Sequence, residues 1–112
     1  MTDLRKLALE FPETEEQLTW GEHPTFRVRK KMFAALSADE HTARIKATKE
    51  AQQALIGSEP GKYSFAPYFG RFGWVSVDLT RVDADELTEL LEEAWRLTAP
   101  KKMVRAFDET AI

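Results

Sequence analysis

The sequence predicts an α+β domain, with an antiparallel sheet packed against N- and C-terminal helices. Three observations lead there. Both ends carry the 3.6-residue apolar period of amphipathic helices. The middle carries short runs that alternate apolar and polar residues, the period of half-buried strands. Strands grouped between terminal helices make a sheet covered on one face. The 112 residues suit one domain able to bury a core without staples, read as 1–107, with 108–112 a short tail.

The first helix is capped by Thr2, and Leu4, Leu7, Ala8 and Phe11 share one face before Pro12 stops it. Glu13 to Glu16 reads as an acidic connector. Leu18 and Trp20 start an edge strand, and Gly21 to Pro24 forms a turn. Phe26 and Val28 then point inward while Arg27 and Arg29 point outward. Met32 to Leu36 returns as the second strand of a hairpin, with Phe33 and Ala35 on one face and Met32, Ala34 and Leu36 on the other. The intervening turn has no glycine, although two-residue hairpin turns favour it. The sequence therefore predicts either a longer type I turn or one lysine in the left-handed region. After the polar turn 37–41, Ala43, Ile45 and Ala47 point inward, and Arg44 and Lys46 outward.

Thr48 caps a short helix that Gly57 ends. A Gly/Pro-rich loop over 57–62 leads to a short strand with Tyr63 and Phe65. Gly70 and Gly73 bracket a turn at Arg71-Phe72, and Trp74 to Leu79 is the clearest strand. The last major helix has the strongest start signal: Asp83 and Glu86 form a capping-box pair, and Val82 and Leu87 a staple. Leu87, Leu90, Leu91, Ala94 and Leu97 make its apolar stripe, widened by Trp95, and Pro100 closes it. One short helical turn is expected within 101–107, and a frayed tail after it.

Composition narrows the function classes. The absence of cysteine excludes disulfides, thiolate metal sites and a cysteine nucleophile. No apolar run approaches the ~20 residues that span a bilayer, and the first residues lack the pattern of a signal peptide. A cytoplasmic monomer is expected. The net charge of −3 conceals a division: residues 23–81 hold ten Lys/Arg and five Asp/Glu, so the ends are strongly acidic and the middle is basic. Local charge, more than net charge, decides what a surface attracts.

Trp20-Gly21, Pro24 to Val28, Lys31 to Ala34, Tyr68, Gly70, Gly73 to Val75 and Leu87 to Leu91 stand in an order and spacing that resemble the MmcQ/YjbR family of small bacterial proteins. The resemblance runs from about residue 3 to about residue 105. It implies a frataxin-like (CyaY-like) fold and DNA binding through paired hairpin wings, and it brings no catalytic residues. That family usually has glycine at the position of Lys30, so this chain departs from it at the hairpin tip.

Two binding readings follow from the residues. Arg27, Arg29, Lys30, Lys31, Arg44, Lys46 and Arg71 offer phosphate contacts to nucleic acid, against an acidic overall charge that argues the other way. Alternatively, Trp20, His23, Tyr68 and Trp74 converge on a concavity for a small molecule or protein. No cofactor, metal site or enzymatic activity is expected. The Glu13, Glu15, Glu16 and Glu89, Glu92, Glu93 groups read as solvated faces, His23 and His41 lack metal-ligand spacing, and no serine sits in a nucleophile-elbow context.

Overall fold

The computed structural model describes residues 2–19 and 23–110. Helix α1 (Leu4–Leu9) leads into strands β1 (Thr14–Thr19), β2 (His23–Val28), β3 (Lys31–Leu36) and β4 (Thr42–Ile45). Helix α2 (Lys49–Ser58), strand β5 (Tyr63–Phe65), a 3₁₀ turn (Phe69–Phe72), strand β6 (Val75–Asp78), and helices α3 (Ala84–Thr98) and α4 (Lys101–Thr110) follow. The six strands form one sheet in the order β1-β2-β3-β4-β6-β5, and every neighbouring pair is antiparallel. The expected α+β class is therefore the observed one. No helix among the described residues is long and apolar enough to cross a membrane.

The helices cover one face. Phe26, Val28, Phe33, Ile45, Val75 and Val77 are fully buried with Leu87, Leu91, Ala94 and Trp95 of α3. Asp3, one residue after the expected Thr2, caps α1 by accepting from the Lys6 amide. The Thr2 hydroxyl instead donates to the Val82 carbonyl at 2.7 Å. Asp83 caps α3 as its sequence predicts, accepting from the Glu86 amide at 2.8 Å. The Asp83 amide in turn helps hold the Glu86 carboxyl below its usual range, although the short hydrogen bonds of that carboxylate go to Lys62 and Tyr63.

Gly57 lies inside α2 rather than ending it, and His23 and Pro24 belong to β2 rather than to a turn. Three larger local features also depart from the sequence expectations. First, Glu13 to Glu16 is not a connector. Glu13 is a turn residue at φ 54°, and β1 starts at Thr14 as an edge strand whose exposed Glu15 and Glu16 discourage edge-to-edge pairing. Second, β3 carries a bulge. The pairing passes from Phe26↔Ala34 to Arg27↔Met32, which leaves Phe33 as the extra residue. The bulge resets the alternation, so Phe33, Ala34 and Leu36 all join the core while Ala35 faces the other way, opposite Arg44.

Third, α4 is a full helix. Ala99, held extended (ψ 151°) by the proline that follows it, ends α3. The Pro100 carbonyl then accepts from the Met103 and Val104 amides and starts α4. Residues 108–110 belong to this helix, and Asp108 pairs with Arg96. Phe107 packs on Trp95 and Phe11, with ring centroids 5.0 and 6.0 Å away.

The β2–β3 turn answers the question of the missing glycine. Val28 pairs with Lys31, so the loop is two residues long. Arg29 (φ 50°) and Lys30 (φ 69°) are both left-handed, which is a type I′ turn made without glycine. The first reading, a longer type I turn, is incorrect. The second undercounts, because two residues rather than one take the strained conformation. Such residues cost on the order of 1–3 kcal/mol each. Lys30→Gly is therefore expected to stabilise the fold by about 1 kcal/mol after the glycine's extra unfolded-state entropy. Thermal unfolding reads this as a melting temperature higher by several degrees; an unchanged or lower value would refute the strain.

Candidate functional site

The sheet face opposite the helices is polar. Its central row, given by strand register, runs Gln17, Thr25, Ala35, Arg44, Ser76 and Ser64. Thr42 and Asp78 form the adjacent pair. Arg27 lies two residues beyond Thr25, to whose hydroxyl its Nε donates at 3.3 Å. Lys46 lies two residues beyond Arg44. By strand alternation, Arg27, Arg44 and Lys46 thus share the outer face, away from the terminal helices.

A hollow of about 230 Å³ lies on this face, walled by His23, Ala35, Thr42, Arg44, Ser76 and Pro67. The His23 Nδ1 is 3.4 Å from the Leu36 carbonyl. A second, more open hollow of about 430 Å³ includes His41, Lys62, Ser64, Asp78 and Thr80. It shares Thr42 and Ser76 with the first, so the two form one trough along β4 and β6.

The remaining basic residues are differently placed. Arg29 leans back onto Glu13, Nε to Oε1 at 2.8 Å, which holds that carboxyl below its usual range. Arg27 also donates to the Lys30 carbonyl at 3.2 Å. Lys30 and Lys31 are exposed at the hairpin tip. Arg71 sits between two rings, 4.7 Å from the Tyr68 centroid and 4.8 Å from that of Phe72, a cation–π clamp.

Of the four residues of the aromatic-pocket reading, the three that are described do not share either hollow. Trp20 lies outside the described residues. His23 walls the first hollow, but neither Tyr68 nor Trp74 does. Trp74 is 6% exposed and packs on Phe69 at 5.2 Å, and its carbonyl accepts from Gln52. Tyr68 is 69% exposed. It sits at φ 66°, ψ −57°, where the Phe69 amide reaches the Pro67 carbonyl at 2.7 Å. This is a strained γ-turn.

Electrostatics separate the two ends of the trough. Lys62 is bound by Glu86 at 2.9 Å and Glu59 at 3.1 Å. The Glu86 bond chiefly raises its pKa, and Lys62 in turn lowers that of Glu86. Burial, aided by the Glu86 carboxylate, pushes the Tyr63 hydroxyl up to about 12. The Thr80 hydroxyl and amide hold the Asp78 carboxyl below its usual range, so Asp78 is anionic at neutral pH.

Ser37, Asp39 and His41 lie together in the β3–β4 turn, but in the wrong order for hydroxyl activation. The Ser37 hydroxyl donates to Asp39 at 2.7 Å, and the His41 Nδ1 is 3.8 Å from the same carboxylate. Nucleophilic catalysis needs the hydroxyl proton on the imidazole. Among the described residues, no three His, Asp or Glu side chains come together to hold a metal.

Sequence reasoning missed Thr42, Ser64, Ser76 and Asp78 as site residues. The available signal was the alternation of β4, β5 and β6, which puts each opposite the apolar face. The exposed Phe65 and Phe72 were equally hard to find, since aromatics beside strands are usually buried.

Comparison with known proteins agrees with this fold. The YjbR family model matches residues 9–97. Uncharacterised proteins of Mycobacterium bovis and Mycobacterium tuberculosis are each 44% identical over 54 residues. The match covers 48% of this chain and 42% of each relative, so it spans less than half the length of those proteins. The crystal structure of a Deinococcus radiodurans protein with a DUF419 domain superposes with a TM-score of 0.76 at 26% identity. The superposition covers 85% of this chain and 75% of that one.

Proposed function

We propose that this chain, which belongs to the YjbR family, is a non-catalytic module that binds DNA on the outer face of its sheet. One observation carries the reading: register puts Arg27 and Arg44 on the face that the helices leave uncovered, with Lys46 just past the end of β4. The acidic residues Glu89, Glu92 and Glu93 lie on α3, in the opposite layer. The uncovered face thus carries Arg27, Arg44 and Lys46 against Glu15, which stands opposite Arg27, and Asp78. This is a local excess of cations within a net charge of −3, and local charge attracts phosphate whatever the total.

Lys30 and Lys31 add exposed cations at the hairpin tip, Lys31 on the Val28 side of the sheet. Arg71, flanked by Tyr68 and Phe72, offers a second contact where a base stacks beside a cation. Arg29 contributes less, because Glu13 already neutralises it. In this reading the protein works as a monomer in the cytoplasm.

The test is a salt series of binding titrations with duplex and single-stranded DNA. Affinity should fall linearly on a log–log plot, with a slope of about −0.9 per phosphate neutralised on a duplex. Changing Lys30 and Lys31 together to glutamine should flatten the slope by about 2. Absence of binding at the lowest salt, or a slope near zero, would overturn the proposal.

A further inference from the structure

We propose that the trough on the outer face is a site for a small phosphorylated polyol, such as a sugar phosphate. Arg44 holds the phosphate, and the hydroxyl-bearing body lies toward Ser64 and Asp78. Arg44 differs from the arginines whose charge is already matched. Arg5, Arg29, Arg81 and Arg96 pair with carboxylates, and Arg71 stacks between rings. Arg44 is half-buried, and among the described residues its guanidinium has no hydrogen-bond or ion-pair partner. Withdrawing a charge from water without a counter-charge is unfavourable. A ligand anion would compensate it.

The neighbours of Arg44 define which anion. Ser76 lies directly opposite on β6, and Thr42 lies two residues back on β4. Neither hydroxyl hydrogen-bonds to another described residue, although Ser76 is only 9% exposed. All three groups wall the hollow of about 230 Å³. A planar carboxylate is satisfied by the guanidinium alone, through two parallel bonds. Additional hydroxyl donors from two strands suit a tetrahedral oxyanion, whose further oxygens accept from them.

Beyond Thr42 and Ser76 the trough changes character. The hollow of about 430 Å³ is walled by Ser64, Asp78 and Thr80, and its one lysine, Lys62, is already neutralised by Glu59 and Glu86. Asp78 is matched by Arg81, its Oδ2 3.6 Å from the arginine Nε, and its remaining lone pairs accept from hydroxyls, which sets the ligand's direction. The two hollows together reach the volume of small-molecule sites, and the mostly polar lining of the larger one suits a hydroxylated ligand. DNA binding draws on Arg44 together with the other cations of the face, whereas a phosphorylated polyol needs a half-buried cation with hydroxyls beside it.

The experiment is calorimetry together with NMR of the arginine Nε–H groups. The probes are inorganic phosphate, glycerol 3-phosphate, ribose 5-phosphate, glucose 6-phosphate and uncharged glucose. At least one phosphorylated polyol should bind about tenfold more tightly than inorganic phosphate and shift the Arg44 signal, and glucose alone should not. Arg44→Gln should weaken that ligand by about tenfold or more, while Asp78→Asn weakens the polyol phosphate and spares inorganic phosphate.

No Arg44 shift with any probe at millimolar concentration, or unchanged affinity in folded Arg44→Gln, would overturn the proposal. Binding of inorganic phosphate alone would overturn the polyol half of it. An oligonucleotide in the same series separates the two readings. DNA binding lost on changing Lys30 and Lys31, with sugar-phosphate binding intact, assigns them to different residues.

Discussion

Replacing Trp95 with alanine is expected to destabilise the protein by about 3–5 kcal/mol. Total stabilities of domains are about 5–15 kcal/mol, so the variant would stand near the threshold of folding. Trp95 is fully buried. Its ring lies 6.0 Å from that of Phe11 and 5.0 Å from that of Phe107, tying the end of α1 and the whole of α4 to α3. Its Nε1 donates to the Pro12 carbonyl at 3.1 Å. Truncation therefore opens a cavity and leaves a carbonyl unpaired.

Urea unfolding measures the loss. Trp95→Phe, which retains an aromatic ring but not the N–H, should fall between the two proteins. A loss under about 1 kcal/mol in the alanine variant would mean that α4 does not dock on Trp95 as described.

The second large effect is expected at Gly73, where alanine should cost about 3 kcal/mol or more. Gly73 is left-handed at φ 101°, which already disfavours a side chain. A Cβ there would stand 2.5 Å from the Ala47 carbonyl oxygen and 3.1 Å from the Lys49 nitrogen. These are backbone atoms at the junction of β4 and α2, and they cannot swing aside. The same junction is held by the buried Gln52, whose amide donates to the Gly70 and Trp74 carbonyls at 2.8 and 2.7 Å. Pushing it apart disturbs those bonds too. Gly57→Ala is the control: nothing lies within 4 Å of its Cβ, and it is helical, so alanine should stabilise by about 0.5–1 kcal/mol. Equal melting temperatures for the two variants would refute the close approach at Gly73.

Residues whose neighbours are local were legible. The Asp83 cap, the α3 stripe through Leu87, Leu91 and Ala94, and the inward Val75 and Val77 follow from period and capping chemistry alone. Leu97 broke the pattern: it is 45% exposed while Thr98 is buried, because the stripe of Leu87, Leu91 and Ala94 continues at the helical period to Thr98 and leaves Leu97 to one side. The phase of β3 was not legible, since a bulge at Phe33 shifts every later residue and leaves no mark in composition. α4 was hidden by Pro100, which reads as a stop although its carbonyl also starts the next helix. Of the candidate site, the outward positions of Arg27, Arg44 and Lys46 were visible from alternation.

By itself, the sequence determined that strands between helices would bury Phe26, Val28, Ile45 and Trp95, because periodic apolar residues can leave water only by sharing a face. It also determined that Arg44 would point away from them. Only the tertiary structure decided what Arg44 would meet there. The sheet order sets β4 beside β6, so Ser76, thirty-two positions along the chain, stands opposite Arg44 and no carboxylate does. Strand pairing depends on the closure of the whole sheet rather than on any local pattern, and this pairing leaves the guanidinium facing a hollow instead of a counter-ion.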